Sequence, residues 1–310
     1  MKTKIIKDEQ LRDKILGGVK KEIAHLFEKH GKSPGIAFIG FMGVPLGKYN
    51  IPFHIRLAQE MGFHVFEEIK PDDISEEDLF ESIEALNRND EIHAIVLLQP
   101  LPEHLNPIRI INRIDPDKEV EGFHPKNIMG TLMPDIQKNL YPMCLPTALF
   151  ELFENNDIKT RRDHEWVLVL DEEFFANQLV NMVTRTAFTK AVPDDCALTI
   201  VKGNSAKLKE YCKRADFLVV VTKRPESINP EWLKPGVCII DIYSNLVKEV
   251  PSKNGSNRLV PVIRGGVNVD SVKNIASAII PIPGGLMTIV LALLLRNALS
   301  SFINALNKEQ

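Results

Sequence analysis

Ile36-Ala37-Phe38-Ile39-Gly40 is a short apolar run that closes on glycine, and Lys32-Ser33-Pro34-Gly35 before it breaks the chain direction. An apolar run of this length, bounded by turn residues, reads as a buried strand followed by a glycine-containing loop. On its N-terminal side Leu11, Ile15, Val19, Ile23 and Leu26 recur at near-helical spacing, which predicts a helix over residues 9–29. On its C-terminal side residues 51–61 read as helix. Ser75-Glu76-Glu77-Asp78 resembles a capping box opening the helix Asp78–Asn87. Ile92–Leu98 is a second buried strand and Ile108–Ile114 a short helix. Apolar strands alternating with helices predict a mostly parallel sheet covered on both faces.

A second series follows Pro142 and Pro146. Thr147–Asn155 reads as helix, Trp166–Leu170 as strand and Asn177–Arg185 as helix. Leu198–Val201, Phe217–Val221 and Cys238–Ile242 are further apolar strands, and Leu286–Leu306 is one long final helix. The chain has 310 residues, roughly two domains. The fold expected is α/β, two domains with a cleft between them, and ligands in such folds sit outside the carboxyl ends of the strands.

Lys and Arg number 38 against 41 Asp and Glu, a net charge of −3. That balance, with no basic stripe and no aromatic stacking set, argues against a nucleic-acid partner. Cys144, Cys196, Cys212 and Cys238 are widely spaced with no CxxC, so neither a zinc site nor a redox motif is expected, and no metal. Idle thiols in a reducing cytoplasm fit this usage. MKTKIIKDEQLRDK has no apolar core of a secretory signal. The run Leu286–Leu295, interrupted by Thr288 and closed by Arg296, is shorter than the ~20 residues of a membrane span, so a buried helix and no membrane are expected.

Three further stretches decide the reading of function. Leu98-Gln99-Pro100-Leu101-Pro102 follows a strand. Asp115-Pro116-Asp117-Lys118-Glu119-Val120-Glu121-Gly122-Phe123-His124-Pro125 follows a helix. Pro281-Ile282-Pro283-Gly284-Gly285 precedes Met287-Thr288. With Lys32-Ser33-Pro34-Gly35, and in this order, they resemble the bifunctional methylenetetrahydrofolate dehydrogenase/methenyltetrahydrofolate cyclohydrolase (FolD) family along essentially the whole chain. The resemblance implies a folate-binding, catalytic-type domain of residues 1–141 with 286–310, and a Rossmann-like NAD(P)-type domain of residues 142–285. It also implies a homodimer, NADP or NAD as cofactor, and tetrahydrofolate derivatives as substrates. The implied reactions are reversible hydride transfer from methylenetetrahydrofolate to NAD(P), then hydrolysis of the methenyl product to formyltetrahydrofolate.

The residues depart from that family at the chemistry. Its catalytic lysine lies in a Y-x-x-x-K motif, where this chain has Asn50 in the tyrosine slot and His54 in the lysine slot, with Tyr49 one residue out of register. His54 is a catalytic candidate, able to do acid–base work near neutral pH, or a passive lining residue. Gln99 matches the family's folate-contacting glutamine in a loop one residue shorter. Glu121 replaces the aspartate that meets the pterin, and a carboxylate suits its row of N–H donors; His124 beside it reads as structural. Pro283, Gly284 and Gly285 match the loop lining the folate site.

The cofactor side departs furthest. Asp171-Glu172-Glu173-Phe174-Phe175-Ala176-Asn177-Gln178-Leu179 stands where the family has G-x-S-x-x-V-G-x-P. A phosphate cradle draws on glycines and repels carboxylates, and these acids read as solvated loop charges. Gly203 takes the place of a basic residue, leaving the adjacent Lys202 as a weak cofactor contact. Lys223 and Tyr243 fill two more glycine positions, and Gly265-Gly266-Val267 has lost an aspartate. These replacements argue against dehydrogenase activity. What is expected is a one-carbon folate enzyme with an altered constellation, or a catalytically inactive folate-binding or regulatory dimer partner.

Overall fold

The computed structural model describes residues 2–132, 141–171, 179–180, 196–252 and 258–308. In chain order its strands are β1 (Lys4–Ile5), β2 (Gly35–Phe41), β3 (His64–Lys70), β4 (Ala94–Leu97), β5 (Glu165–Leu170), β6 (Ala197–Val201), β7 (Phe217–Val221), β8 (Cys238–Asp241), β9 (Asn245–Pro251), β10 (Leu259–Arg264) and β11 (Ala278–Ile280). The helices are α1 (Glu9–His30), α2 (Gly47–Met61), α3 (Glu76–Arg88), α4 (Pro107–Ile111), α5 (Pro125–Leu132), α6 (Cys144–Asn155), α7 (Leu208–Cys212), α8 (Val269–Val272) and α9 (Leu286–Lys308). The chain forms two compact units: Arg12–Cys144 with Leu291–Gln310, and Met1–Leu11 with Leu145–Val290.

The first unit is built on a three-stranded parallel sheet in the order β3-β2-β4. β2 is central because all seven of its residues are buried and apolar or glycine. β3 escapes a sequence reading because it is a charged edge strand, HVFEEIK, with no apolar run. Ser75 caps α3 as anticipated, its hydroxyl accepting from Asp78 N at 3.1 Å. α2 starts four residues before the expected Ile51. Leu46 takes a left-handed conformation at φ 66°, and its carbonyl accepts from Asn50 N at 2.8 Å. Pro52 inside the helix disguises that start, since proline normally marks a helix's first turn. Tyr49 and Asn50 are therefore first-turn residues rather than loop residues.

The second unit holds a six-stranded parallel sheet, β1-β11-β8-β7-β5-β6. Buried Val167, Val169, Leu218, Val220 and Ile239 supply part of its core. β9 and β10 form an antiparallel ribbon beside it, with a bulge between Val262 and Ile263. The sequence expectation placed residues 1–141 together, but β1 pairs with β11, and Ile6 N donates to Ile279 O at 2.8 Å, so residues up to Leu11 group with this sheet. A two-residue strand is too short to read from periodicity. Of the helix expected over Asn177–Arg185, only residues 179–180 are described, and they are helical; the rest lies outside the described residues.

α9 is long and apolar enough to cross a membrane by length and composition, yet 67% of its most apolar window is buried inside the protein. Asn297 and Ser301, each 4% exposed, hydrogen-bond to other segments, so α9 serves as a core helix.

Candidate active site at the carboxyl edge of the three-stranded sheet

Because β2 and β4 are parallel, both deliver their following loops to one edge. The segment after α4 joins them there: Ile95 N donates to Lys118 O at 2.8 Å and Ile95 bridges Glu119 in parallel. The loop into α2, the Gln99 loop and the Glu121 turn thus share the carboxyl side of this sheet. β2 has β3 on one side and β4 on the other, so its end is the switch point where open α/β sheets bind ligands.

On α2 the His54 Nδ1 lies 2.7 Å from Asn50 O. A carbonyl only accepts, so Nδ1 carries the proton and Nε2 is left as the acceptor. The imidazole packs edge-on to Phe38 and Phe53, with centroids 6.0 Å away in each case. Burial lowers its pKa, more than the Asn50 carbonyl raises it. His54 is therefore a neutral base at pH 7, not a stand-in for an ammonium. The Tyr49 hydroxyl is buried, and Lys48 Nζ lies 5.4 Å from the centre of its ring.

Gln99 follows β4 through a cis bond to Pro100. Its Nε2 is buried and has no hydrogen-bond partner among the described residues. Leaving such a donor unmade costs about 1–3 kcal/mol, which makes it a group awaiting a ligand acceptor.

The Glu121 turn is organised by a residue that sequence reasoning passed over. Glu119 is 2% exposed, and its carboxylate accepts from Glu121 N at 2.9 Å, His124 N at 2.8 Å and Asn127 Nδ2 at 3.0 Å. Burial nevertheless raises its pKa. Burial first, and the Glu119 charge second, push the Glu121 carboxyl up to about 8. Gly122 directly after Glu121 has φ 83°, and a Cβ there would stand 2.6 Å from Met143 Cα, so only glycine fits. His124 is structural as expected: its Nδ1 accepts from Lys126 N at 3.1 Å at the start of α5. Asn297 on α9 fastens the turn from below, donating through Nδ2 to Val120 O at 2.9 Å and Pro142 O at 3.1 Å. The same nitrogen lies 3.3 Å from the Cys144 sulfur, a buried free thiol whose pKa burial and the two glutamates raise. An asparagine two residues past the apolar run Leu286–Leu295, on the same helix, was the available signal.

The structure places Tyr49, Asn50, His54, Gln99 and Glu121 in one unit. Pro283, Gly284, Gly285 and Lys202 belong to the other. Gly284 and Gly285 have φ 97° and 54°, and the Gly285 carbonyl accepts from Thr288 Oγ1 at 2.9 Å. A Cβ on Gly285 would lie 2.7 Å from Pro281 O. Lys202 is exposed beside Gly203 at the end of β6.

The carboxyl edge of the six-stranded sheet is the place a dinucleotide would take. Its switch point is β5, which has β6 on one side and β7 on the other. Asp171 sits there, only 18% exposed and not the solvated loop charge expected. Its carboxylate accepts from Gly203 N at 2.8 Å, Thr222 Oγ1 at 2.6 Å and Arg224 Nη2 at 3.0 Å. Burial works against its ionisation, but these hydrogen bonds and the Arg224 charge hold its pKa below the usual range. Among the described residues, the Gly203, Thr222 and Arg224 donors at this edge are thus engaged by a carboxylate of the chain and not open to a phosphate group. Glu172–Gln178 lie outside the described residues. Farther along the same edge Asp241 is fully buried, accepts from Gly266 N and Val267 N at 3.1 and 3.0 Å, and is pushed up by burial to about 7. Among the described residues no group of His, Cys, Asp and Glu could hold a metal ion.

Comparison with known proteins agrees with this layout. Residues 6–121 match the model of the tetrahydrofolate dehydrogenase/cyclohydrolase catalytic domain, and residues 143–306 that of the NAD(P)-binding domain. The bifunctional protein FolD of Desulfosudis oleivorans is 35% identical over 301 residues, covering 97% of both chains. A methylenetetrahydrofolate dehydrogenase from the silkworm Bombyx mori superposes with a TM-score of 0.76 at 25% identity, covering 99% of both chains. The methylenetetrahydrofolate dehydrogenase-cyclohydrolase of Trypanosoma brucei, solved with NADP and an inhibitor, superposes with a TM-score of 0.79 at 20% identity and the same coverage.

Proposed function

Since this chain belongs to the tetrahydrofolate dehydrogenase/cyclohydrolase family, we propose that it serves one-carbon tetrahydrofolate metabolism through its folate side alone, hydrolysing methenyltetrahydrofolate to formyltetrahydrofolate without hydride transfer to NAD(P). The observation that carries this reading is the pair of polar groups at the carboxyl edge of the three-stranded sheet: the buried Gln99 Nε2, without a hydrogen-bond partner among the described residues, and the Glu121 carboxyl. Glu121 takes the N–H edge of the pterin, whose donors draw it into its ionised form. Gln99 Nε2 donates to an oxygen or nitrogen of the ligand. Water adds to the carbon bridging the two ligand nitrogens and His54 Nε2 accepts the proton that water gives up; one carbon–nitrogen bond then opens, the proton of the adduct's hydroxyl passing to the departing nitrogen, to leave the formyl group. The surroundings of Asp171 support the absence of hydride transfer.

A second reading is a catalytically inactive folate-binding or regulatory dimer partner. It is favoured by the replacement of the expected lysine by an imidazole tied to Asn50. Methenyltetrahydrofolate hydrolysis, followed with wild type and His54→Ala, separates the two. Turnover lost in the variant supports catalysis through His54; folate binding without turnover in wild type supports the partner role. None of the four cysteines forms a disulfide, which supports a cytoplasmic setting. A homodimer is part of the proposal, and light scattering of the purified chain checks it.

A further inference from the structure

The feature with no role in folate chemistry is the cluster at the end of β5. Three elements converge there. Asp171 follows β5 directly, Gly203 lies two residues beyond β6, and Thr222 follows β7 directly. Asp171 N donates to Val221 O at 2.8 Å, which fixes the carboxylate between the two neighbouring strand ends. One carboxylate oxygen takes the Gly203 N–H. The other takes the Thr222 hydroxyl and two guanidinium nitrogens of Arg224, at 3.0 and 3.3 Å. Thr222 Oγ1 is itself set by accepting from Arg224 N at 3.2 Å. A backbone N–H, a hydroxyl and an arginine fork at the switch point of a parallel sheet are also the donors that a phosphoryl group takes. The space is also taken: a Cβ added at Gly203 would stand 2.5 Å from Asp171 Oδ2 and 2.1 Å from Arg224 Nη2.

We propose that the Gly203 N–H, Thr222 Oγ1 and the Arg224 guanidinium form an anion site for the phosphate of a nucleotide or dinucleotide, and that Asp171 occupies it from within the chain and keeps such ligands out. Asp171 is a tethered competitor, present at high effective concentration and already paired with the cation the ligand needs. Removing its carboxylate frees all four donors without touching them. This inference concerns a different unit from His54, Gln99 and Glu121, so its failure removes the support for absent hydride transfer but leaves the hydrolytic step standing, and failure of the hydrolytic step leaves this inference standing.

The test is calorimetric titration of wild type, Asp171→Gly, and Asp171→Gly combined with Arg224→Ala, using NADP, NAD and pyrophosphate as separate probes. Expected is no saturable binding to wild type at millimolar ligand, and a gain of about tenfold to a hundredfold in Asp171→Gly. The gain should disappear in the double variant. A gain for pyrophosphate as well as for the dinucleotides identifies the phosphate as the recognised group; a gain for the dinucleotides alone overturns the assignment of these donors to phosphate. Asp171→Ala, which also removes the carboxylate but keeps an ordinary backbone, answers the same question should the glycine variant not fold. The inference is overturned by micromolar dinucleotide binding to wild type, by no gain in a cooperatively folded Asp171 variant, or by a gain that survives loss of Arg224.

Discussion

Replacing Glu119 by glutamine should loosen the turn that presents Glu121 and, at the same time, ease ionisation of Glu121 itself. The Glu119 carboxylate accepts at both oxygens: Glu121 N on Oε1, and His124 N with Asn127 Nδ2 on Oε2. A glutamine keeps one oxygen. Placed at the Oε2 position, it retains two bonds and turns an NH₂ group toward the Glu121 N–H, donor against donor. One hydrogen bond to a charged acceptor is worth about 1.5–3 kcal/mol. Relief of the repulsion between two buried acids offsets part of that, so a loss of roughly 1–2 kcal/mol is expected. At about 2–4 °C per kcal/mol for units of this size, calorimetry should find a melting transition lowered by a few degrees. Charge works the other way on Glu121. Its carboxyl stands at about 8 through burial and then through the Glu119 charge. Carbon-detected NMR of labelled glutamate carboxyls, assigned with Glu121→Gln, should therefore show Glu121 titrating lower in the Glu119 variant. An unshifted melting temperature together with an unshifted Glu121 titration would refute the claim that Glu119 organises this turn.

Stability should fall as pH rises through the carboxylate range and up to about 8. Glu121 at about 8 and Asp241 at about 7 hold their protons longer in the folded chain than in the unfolded one. Their contribution is therefore complete below the unfolded values and lost as pH climbs through the folded ones, each tenfold difference in proton affinity between the two states being worth about 1.4 kcal/mol; denaturation across pH 4–9 should show Glu121→Gln flattening the upper part of that slope. At saturating substrate, with Glu121 already ionised against the pterin, hydrolytic turnover through His54 should stay level above pH 6.5 and decline only below it, because burial lowers the His54 pKa; a decline at saturation centred above pH 6.5 would remove His54 as the base. Asn297→Ala leaves the Val120 and Pro142 carbonyls without their donor and should cost about 1–3 kcal/mol; a melting temperature equal to wild type would show that the turn is held without α9. Gly122→Ala forces a side chain into φ 83° and against the Met143 backbone, and should yield far less folded protein than a control such as Gly18→Ala, which meets no atom within 4 Å.

The parts of this molecule that were legible in the sequence are those whose physics is local and repetitive. Ile36–Ile39 and Phe217–Val221 are buried on both faces, so they read as apolar runs without any partner being known. β3 and the β9–β10 ribbon carry charges at an edge or on a face, and their pairing is decided by neighbours far away in the chain. β1 owes its existence to β11, more than 270 residues on. Glu121 could be singled out because a specific motif surrounds it. Glu119, two residues earlier in a run of seven residues with five charges, Asp115–Glu121, looks like any surface acid; only the folded turn shows it accepting three N–H groups. Asp171 was visible as a replaced glycine, but its engagement with Gly203, Thr222 and Arg224 depends on the parallel order of β6, β5 and β7.

Hydrolysis of methenyltetrahydrofolate by the purified chain, measured against the buffer rate with no dinucleotide present, is the most direct test. The expected result is turnover above buffer that His54→Ala abolishes and that Glu121→Gln weakens through a raised KM. A folded wild-type chain that binds the compound yet leaves the buffer rate unchanged, beside an active control enzyme, would contradict a hydrolytic function and leave only folate binding.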